Sequence, residues 1–170
     1  MWLALGLFMS ALAGAAPVAL EAERKQVRLH EGIEVLEDAG RRLLAADFPA
    51  ATPPGSFHKL PSEHHSYGYS GSAFWARVEV SIAGVDAVDW LLVYKQVAID
   101  RIQVFRDVPG GSWREIVPYG AETAGELFGG LRYPAFYLPL AAGERATLLV
   151  RIENTSPIRF PLVMQEFHDF

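Results

Sequence analysis

From Phe74 to Ile82 the chain alternates in type, with Phe74, Ala76, Val78, Val80 and Ile82 interleaved by Trp75, Arg77, Glu79 and Ser81. Alternate side chains of a strand share a face, so this spacing sets Trp75, Arg77 and Glu79 on one side and the apolar set on the other. The segment Thr147–Glu153 repeats the pattern: Leu149, Arg151 and Glu153 share a side, opposite Leu148, Val150 and Ile152. If the two strands lie in one sheet, Trp75, Arg77, Arg151 and Glu153 form an aromatic and charged surface. Sugar rings stack on such aromatic faces, and neighbouring Arg or Glu groups hold hydroxyls by charge-assisted hydrogen bonds. A structural reading also fits, in which Trp75 covers the sheet rim with Arg77 stacked on its ring as a cation–π pair.

Other candidates lie in loops, where binding groups concentrate. Tyr67, Tyr69 and Tyr133 sit in glycine-containing segments, with Arg132 beside the last. They fit either one wall of a ligand site, with Arg132 contacting an acidic group, or rings that plug the open end of a sandwich beside a solvated Arg132. His58, Glu63, His64 and His65 are metal-ligand types, but adjacent His residues in extended chain point opposite ways, so no metal site is expected. Catalytic signatures are absent. Gly68-Tyr69-Ser70-Gly71 is not G-x-S-x-G and precedes a strand where a nucleophile elbow must follow one. No phosphate-loop, dinucleotide or H-E-x-x-H motif occurs, and Glu79 with Glu153 would act as a glycosidase pair only at a suitable separation. The expectation is a protein that is not an enzyme and carries no cofactor.

The elements that must position these residues are short strands. Beyond the main strand, Trp90–Tyr94, Arg101–Phe105, Trp113–Pro118, Ala135–Leu140, Thr147–Glu153 and Ile158–Met164 read as strands, with weaker candidates at Val18–Ala22, Gln26–Leu29 and Ile33–Glu37. Only Arg41–Asp47 reads as helical, over two turns at most. The stretch Thr52–Ser72, rich in Pro, Gly, Ser and His, reads as a long loop with room for one short strand. Many strands without a βαβ rhythm predict an all-β fold, a jelly-roll sandwich of two antiparallel sheets.

The 170 residues suffice for one self-sustaining core, and 51% of them are apolar. The absence of cysteine rules out disulfides, thiolate metal sites and a Cys nucleophile. A formal net charge of −5, with basic residues scattered, argues against nucleic acid and against anionic partners generally. Met1–Leu20 carries no charged side chain, and its apolar run ends in small residues of the A-x-A kind. We read residues 1–16 as a signal peptide and 17–170 as an exported sensory β-sandwich domain, with an uncleaved N-terminal anchor as the alternative for the leader.

Several motifs in order resemble one family. Val35-Leu36-Glu37-Asp38, Gly68-Tyr69, Ala73-Phe74-Trp75-Ala76-Arg77, Trp90-Leu91-Leu92-Val93, Ile99-Asp100-Arg101-Ile102, Leu138-Pro139-Leu140, Leu148-Leu149-Val150-Arg151 and Phe160-Pro161-Leu162 are similar to the second type of extracellular domain of bacterial seven-transmembrane receptors with diverse intracellular signalling modules (7TMR-DISM). The resemblance implies a periplasmic sensory domain with a carbohydrate-binding-module-like jelly roll. It also implies membrane helices downstream of Phe170 and a cytoplasmic output such as a kinase or cyclase. The functional expectation is a ligand-sensing input domain for a small molecule, with carbohydrate as the suggested class, working as a homodimer or with a receptor partner. The alternative is a structural or protein-interaction module docking another receptor or regulator through the same sheet face.

Overall fold

The computed structural model of the chain describes residues 15–21, 23–49, 57–84, 88–120 and 131–169. The signal peptide expected over residues 1–16 lies outside these apart from Ala15 and Ala16, as do residues 52–56 of the expected 52–72 loop.

Eleven strands run among the described residues: β1 Val18–Glu21, β2 Gln26–Arg28, β3 Glu34–Asp38, β4 His58–Lys59, β5 Ala73–Ala83, β6 Val88–Tyr94, β7 Arg101–Val108, β8 Ser112–Ile116, β9 Ala135–Leu140, β10 Arg145–Glu153 and β11 Leu162–Glu166. They form two sheets. The larger has the order β4-β3-β5-β10-β7-β8, and the smaller β2-β11-β6-β9. Pairing is antiparallel except for β1, which runs parallel to the Val80–Ala83 end of β5 beyond the reach of β3. Consecutive strands cross between the sheets, β5 to β6 to β7 and β9 to β10 to β11, so the chain is an all-β sandwich connected as a jelly roll.

The period-two alternation explains the packing. Phe74, Ala76, Val78 and Val80 of β5 face inward with Leu148, Val150 and Ile152 of β10 and Ile102 and Val104 of β7. Trp90, Leu92 and Tyr94 of β6, with Phe136, Leu138, Leu162 and Met164, meet them from the smaller sheet. These aromatic and branched side chains supply the apolar burial that holds two sheets face to face.

Three local expectations are corrected. Arg41–Asp47 is not a helix; only Ala45–Asp47 makes one 3-10 turn. Arg41 adopts φ 52°, outside the helical region, and the following amides bond to a side chain instead of to their own turn. The strand expected from Ile158 begins only at Leu162, because Pro161 interrupts it, and Ile158 makes a single bridge to Gly68. The strand expected over Trp113–Pro118 is β8, Ser112–Ile116. The β7–β8 connection is Pro109-Gly110-Gly111, and φ values of 98° and 79° at its two glycines explain why that residue type stands there.

Candidate functional site

The outer face of the larger sheet holds the site. Its rows follow from the register. Leu36 of β3 pairs with Trp75 of β5, Trp75 with Arg151 of β10, and Arg151 with Gln103 of β7. On one side of this row stand Leu149, Phe105 and Glu115, and on the other Glu153 pairs with Arg101. The strands with Trp75 and Arg151 are thus neighbours in one sheet, the condition on which the sequence reading of a shared surface depended.

The polar, exposed setting expected for Trp75 is overturned: its side chain is only 1% exposed. It lies in a second apolar cluster with Leu36, Phe48 and Leu149, against which Leu43, Ala45, Phe57, Phe105 and Trp113 pack. The cover comes from residues 41–49, a strap across the sheet. Phe48 sets its ring 4.9 Å from Trp75, and Phe105 closes the other side at 6.1 Å. Alternation assigns a side chain to a face; what covers that face is decided by chain arriving from elsewhere.

The strap is fixed at both ends. The buried Asp38 carboxylate accepts the backbone N–H of Arg42 at 3.2 Å and of Leu43 at 3.0 Å. Arg41 donates from Nε to the Gly71 carbonyl at 2.6 Å. At the far end Trp113 donates from Nε1 to the carbonyl of Phe48 at 2.6 Å. Between these anchors a cavity of about 840 Å³ opens, lined by the strap, by Trp75, Phe105 and Trp113, and by Arg41, Arg101, Gln103, Glu115 and Arg151.

Its polar wall is organised around Glu153. Arg151, itself buried, holds the carboxylate in a short ion pair, Arg41 approaches to 3.3 Å and Arg101 to 3.9 Å. The Arg151 guanidinium also lies 5.6 Å above the Trp75 ring. The cation–π partner of Trp75 is therefore Arg151, not Arg77. Gln103 donates from Nε2 to Glu115 at 3.0 Å. The Trp75 indole N–H is buried and has no acceptor among the described residues.

The remaining candidates do not converge here. Arg77 lies one row away, opposite Glu34 and Leu149, and Glu79 faces Arg145 at 3.8 Å. Tyr67 closes an edge of the main core, with its ring 5.0 Å from Phe74, and burial pushes its phenol pKa up. Tyr69 is exposed and off the cavity wall. Tyr133 lies just before β9 and packs on the outer face of the smaller sheet, against Leu91, Val93, Ala135 and Val163, with Arg132 and Lys95 each 5.4 Å from its ring. A wall shared by Tyr133, Arg132 and Trp75 is thus corrected, because the two sheets turn these residues to opposite sides. Glu63 of the histidine-rich loop pairs with Arg28, and His65 sets its ring edge on Tyr67.

Sequence reasoning missed Arg41, Arg101, Gln103 and Trp113. Arg101 and Gln103 carried a usable signal, since they alternate with the buried Ile102 and Val104 just as Arg151 does with Val150. Arg41 carried none: its place depends on a left-handed turn set by Asp38.

By architecture the chain is a β-sandwich module with a covered cleft on one outer face. The family described as 7TMR-DISM extracellular 2 matches residues 30–166, and the chain belongs to that family. Its members are extracytoplasmic sensor domains of receptors, which places this chain on the extracytoplasmic side as a sensor domain. No curated protein matches the chain. Among the described residues no helix is long and apolar enough to cross a membrane.

Proposed function

We propose that this domain is the ligand-sensing input module of a bacterial transmembrane signalling receptor, and that its ligand is a carbohydrate held in the cleft beneath residues 41–49. The observation that carries the reading is the cleft itself. It has the partly buried rings of Phe105 and Trp113 beside the buried Trp75, and a polar wall of three Arg side chains, Gln103 and Glu115. Apolar ring faces with a few convergent polar groups are the usual composition of a small-molecule site. A sugar presents the matching pair of surfaces, C–H groups for the rings and hydroxyls for the guanidinium and amide groups.

A ligand transmits a signal only by binding two states unequally. Here the strap is the element that can differ. It crosses the cleft on few anchors, so a ligand touching both strap and sheet stabilises the closed arrangement. Docking of a protein through Trp75 itself is disfavoured, since Phe48 and the strap already occupy that ring.

The test is a titration of the chain with a sugar panel, read by intrinsic tryptophan fluorescence and by thermal unfolding. Trp75 and Trp113 border the cleft, so binding should change their emission saturably. A ligand at about 100 times its Kd adds about 2.7 kcal/mol and raises Tm by roughly 5–10 °C. No saturable change with any sugar, together with an unmoved Tm, refutes the reading.

A further inference from the structure

The polar wall of the cleft is built for a negative charge. Three guanidinium groups, those of Arg41, Arg101 and Arg151, line the cavity. They share one carboxylate, Glu153, which stands behind them and is not itself on the cavity wall. Among the described residues the carboxylate that lines the cleft is Glu115, and it is already bonded to Gln103. On the wall itself three guanidinium groups thus stand with one carboxylate, while the buried Asp38 carboxylate is taken up by the Arg42 and Leu43 amides.

The distances say where positive charge is available. Arg151 is committed to Glu153 by the shortest contact and to the Trp75 ring. Arg101 reaches Glu153 only at 3.9 Å, and its side chain is 57% exposed. A guanidinium has five donors in a planar fork, and a single long contact leaves most of them free for a second planar oxyanion.

We infer that the ligand of this cleft carries a carboxylate, seated against Arg101 and Arg41, and that within the carbohydrate reading it is a uronic acid. This inference rests on the proposed site and narrows its chemistry. The chain's net charge of −5 does not oppose it, because long-range repulsion is screened over about 10 Å at ordinary salt whereas a guanidinium–carboxylate contact acts at bonding distance.

The experiment compares, on the 170-residue chain, galacturonate with galactose and glucuronate with glucose by calorimetric or fluorescence titration, with benzoate as a carboxylate lacking hydroxyls. The expected result is a Kd for each uronate at least tenfold below that of its neutral parent, a margin of about 1.4 kcal/mol. Added salt should weaken the uronate and leave the neutral sugar unchanged. Arg101→Gln, exposed and outside the apolar cluster, should erase most of that margin, while Arg24→Gln on a remote loop should not. Equal affinity for acid and neutral parent overturns the carboxylate seat and leaves the sugar cleft standing. Binding of benzoate without either uronate supports the anion seat and overturns the sugar. Binding of none of these compounds overturns both.

Discussion

Replacing Trp75 by alanine separates a ring in the floor of a covered cluster from a ring displayed on a polar face. The side chain is almost wholly buried among Leu36, Phe48, Leu149 and Phe105. A buried Trp removes roughly 150–250 Å² from water, which at about 25 cal/mol per Å² amounts to some 4–6 kcal/mol. That area-based figure is an upper bound, and measured aromatic-to-alanine losses in cores run about 3–5 kcal/mol. We expect about 3–5 kcal/mol for Trp75→Ala, a large part of a domain's total stability of about 5–15 kcal/mol. With a urea m-value near 2 kcal/mol/M, the midpoint should fall by about 1.5–2.5 M at unchanged m. Trp75→Phe keeps most of the apolar area and deletes the unpaired indole N–H, so it should cost less than half as much. Equilibrium urea unfolding followed by circular dichroism measures both variants. A loss below about 1 kcal/mol for Trp75→Ala would place the ring in solvent and refute the covered-cluster argument.

Two further outcomes follow from the same geometry. Trp113→Phe removes the indole donation to the Phe48 carbonyl; it should cost about 1 kcal/mol and speed amide exchange in residues 41–49 ahead of the core strands, a selective effect that hydrogen-exchange mass spectrometry resolves. Tyr94 is buried at the end of β6 and donates from its hydroxyl to the Arg159 carbonyl at 3.2 Å. Burial raises its phenol pKa well above the usual 10, with the nearby Arg159 charge opposing weakly. A folded pKa above the unfolded one leaves stability unaffected below pH 10, and stability is lost as pH rises further, because the unfolded chain ionises while the folded one resists. Tyr94→Phe should therefore flatten the alkaline loss of stability above about pH 10 while costing about 1 kcal/mol at neutral pH, and an equally steep decline in the variant would assign the effect to another group.

Much of the sandwich was legible in single segments. The alternation in β5 and β10 marked both strand and inward face, since a two-residue period survives whatever the strand packs against. The same alternation put Trp75, Arg151 and Glu153 on one face, and the register brought Trp75 beside Arg151. What failed were statements about cover and convergence. Tyr133 and Arg132 resembled wall residues in the sequence, yet Tyr133 packs on the outer face of the other sheet with Arg132 beside its ring. The 41–47 segment had helical composition, but the Asp38 carboxylate captures its amides and the sheet face takes Leu43, Ala45 and Phe48. Contacts between residues distant along the chain decided that contest, and no local pattern encodes them.

From the sequence alone came the all-β class, the main core-facing sets and the family to which the ordered motifs point, because each rests on local period or on motif order. The tertiary structure alone decided that Trp75 is a floor and not a platform, and that Arg41, Arg101 and Arg151 meet at Glu153. Burial and local charge balance are properties of what arrives from elsewhere in the chain. A domain with a net charge of −5 can therefore hold a cationic cleft, since composition averages over a surface while a site is set by a few guanidinium groups folded to within ion-pair distance of one carboxylate.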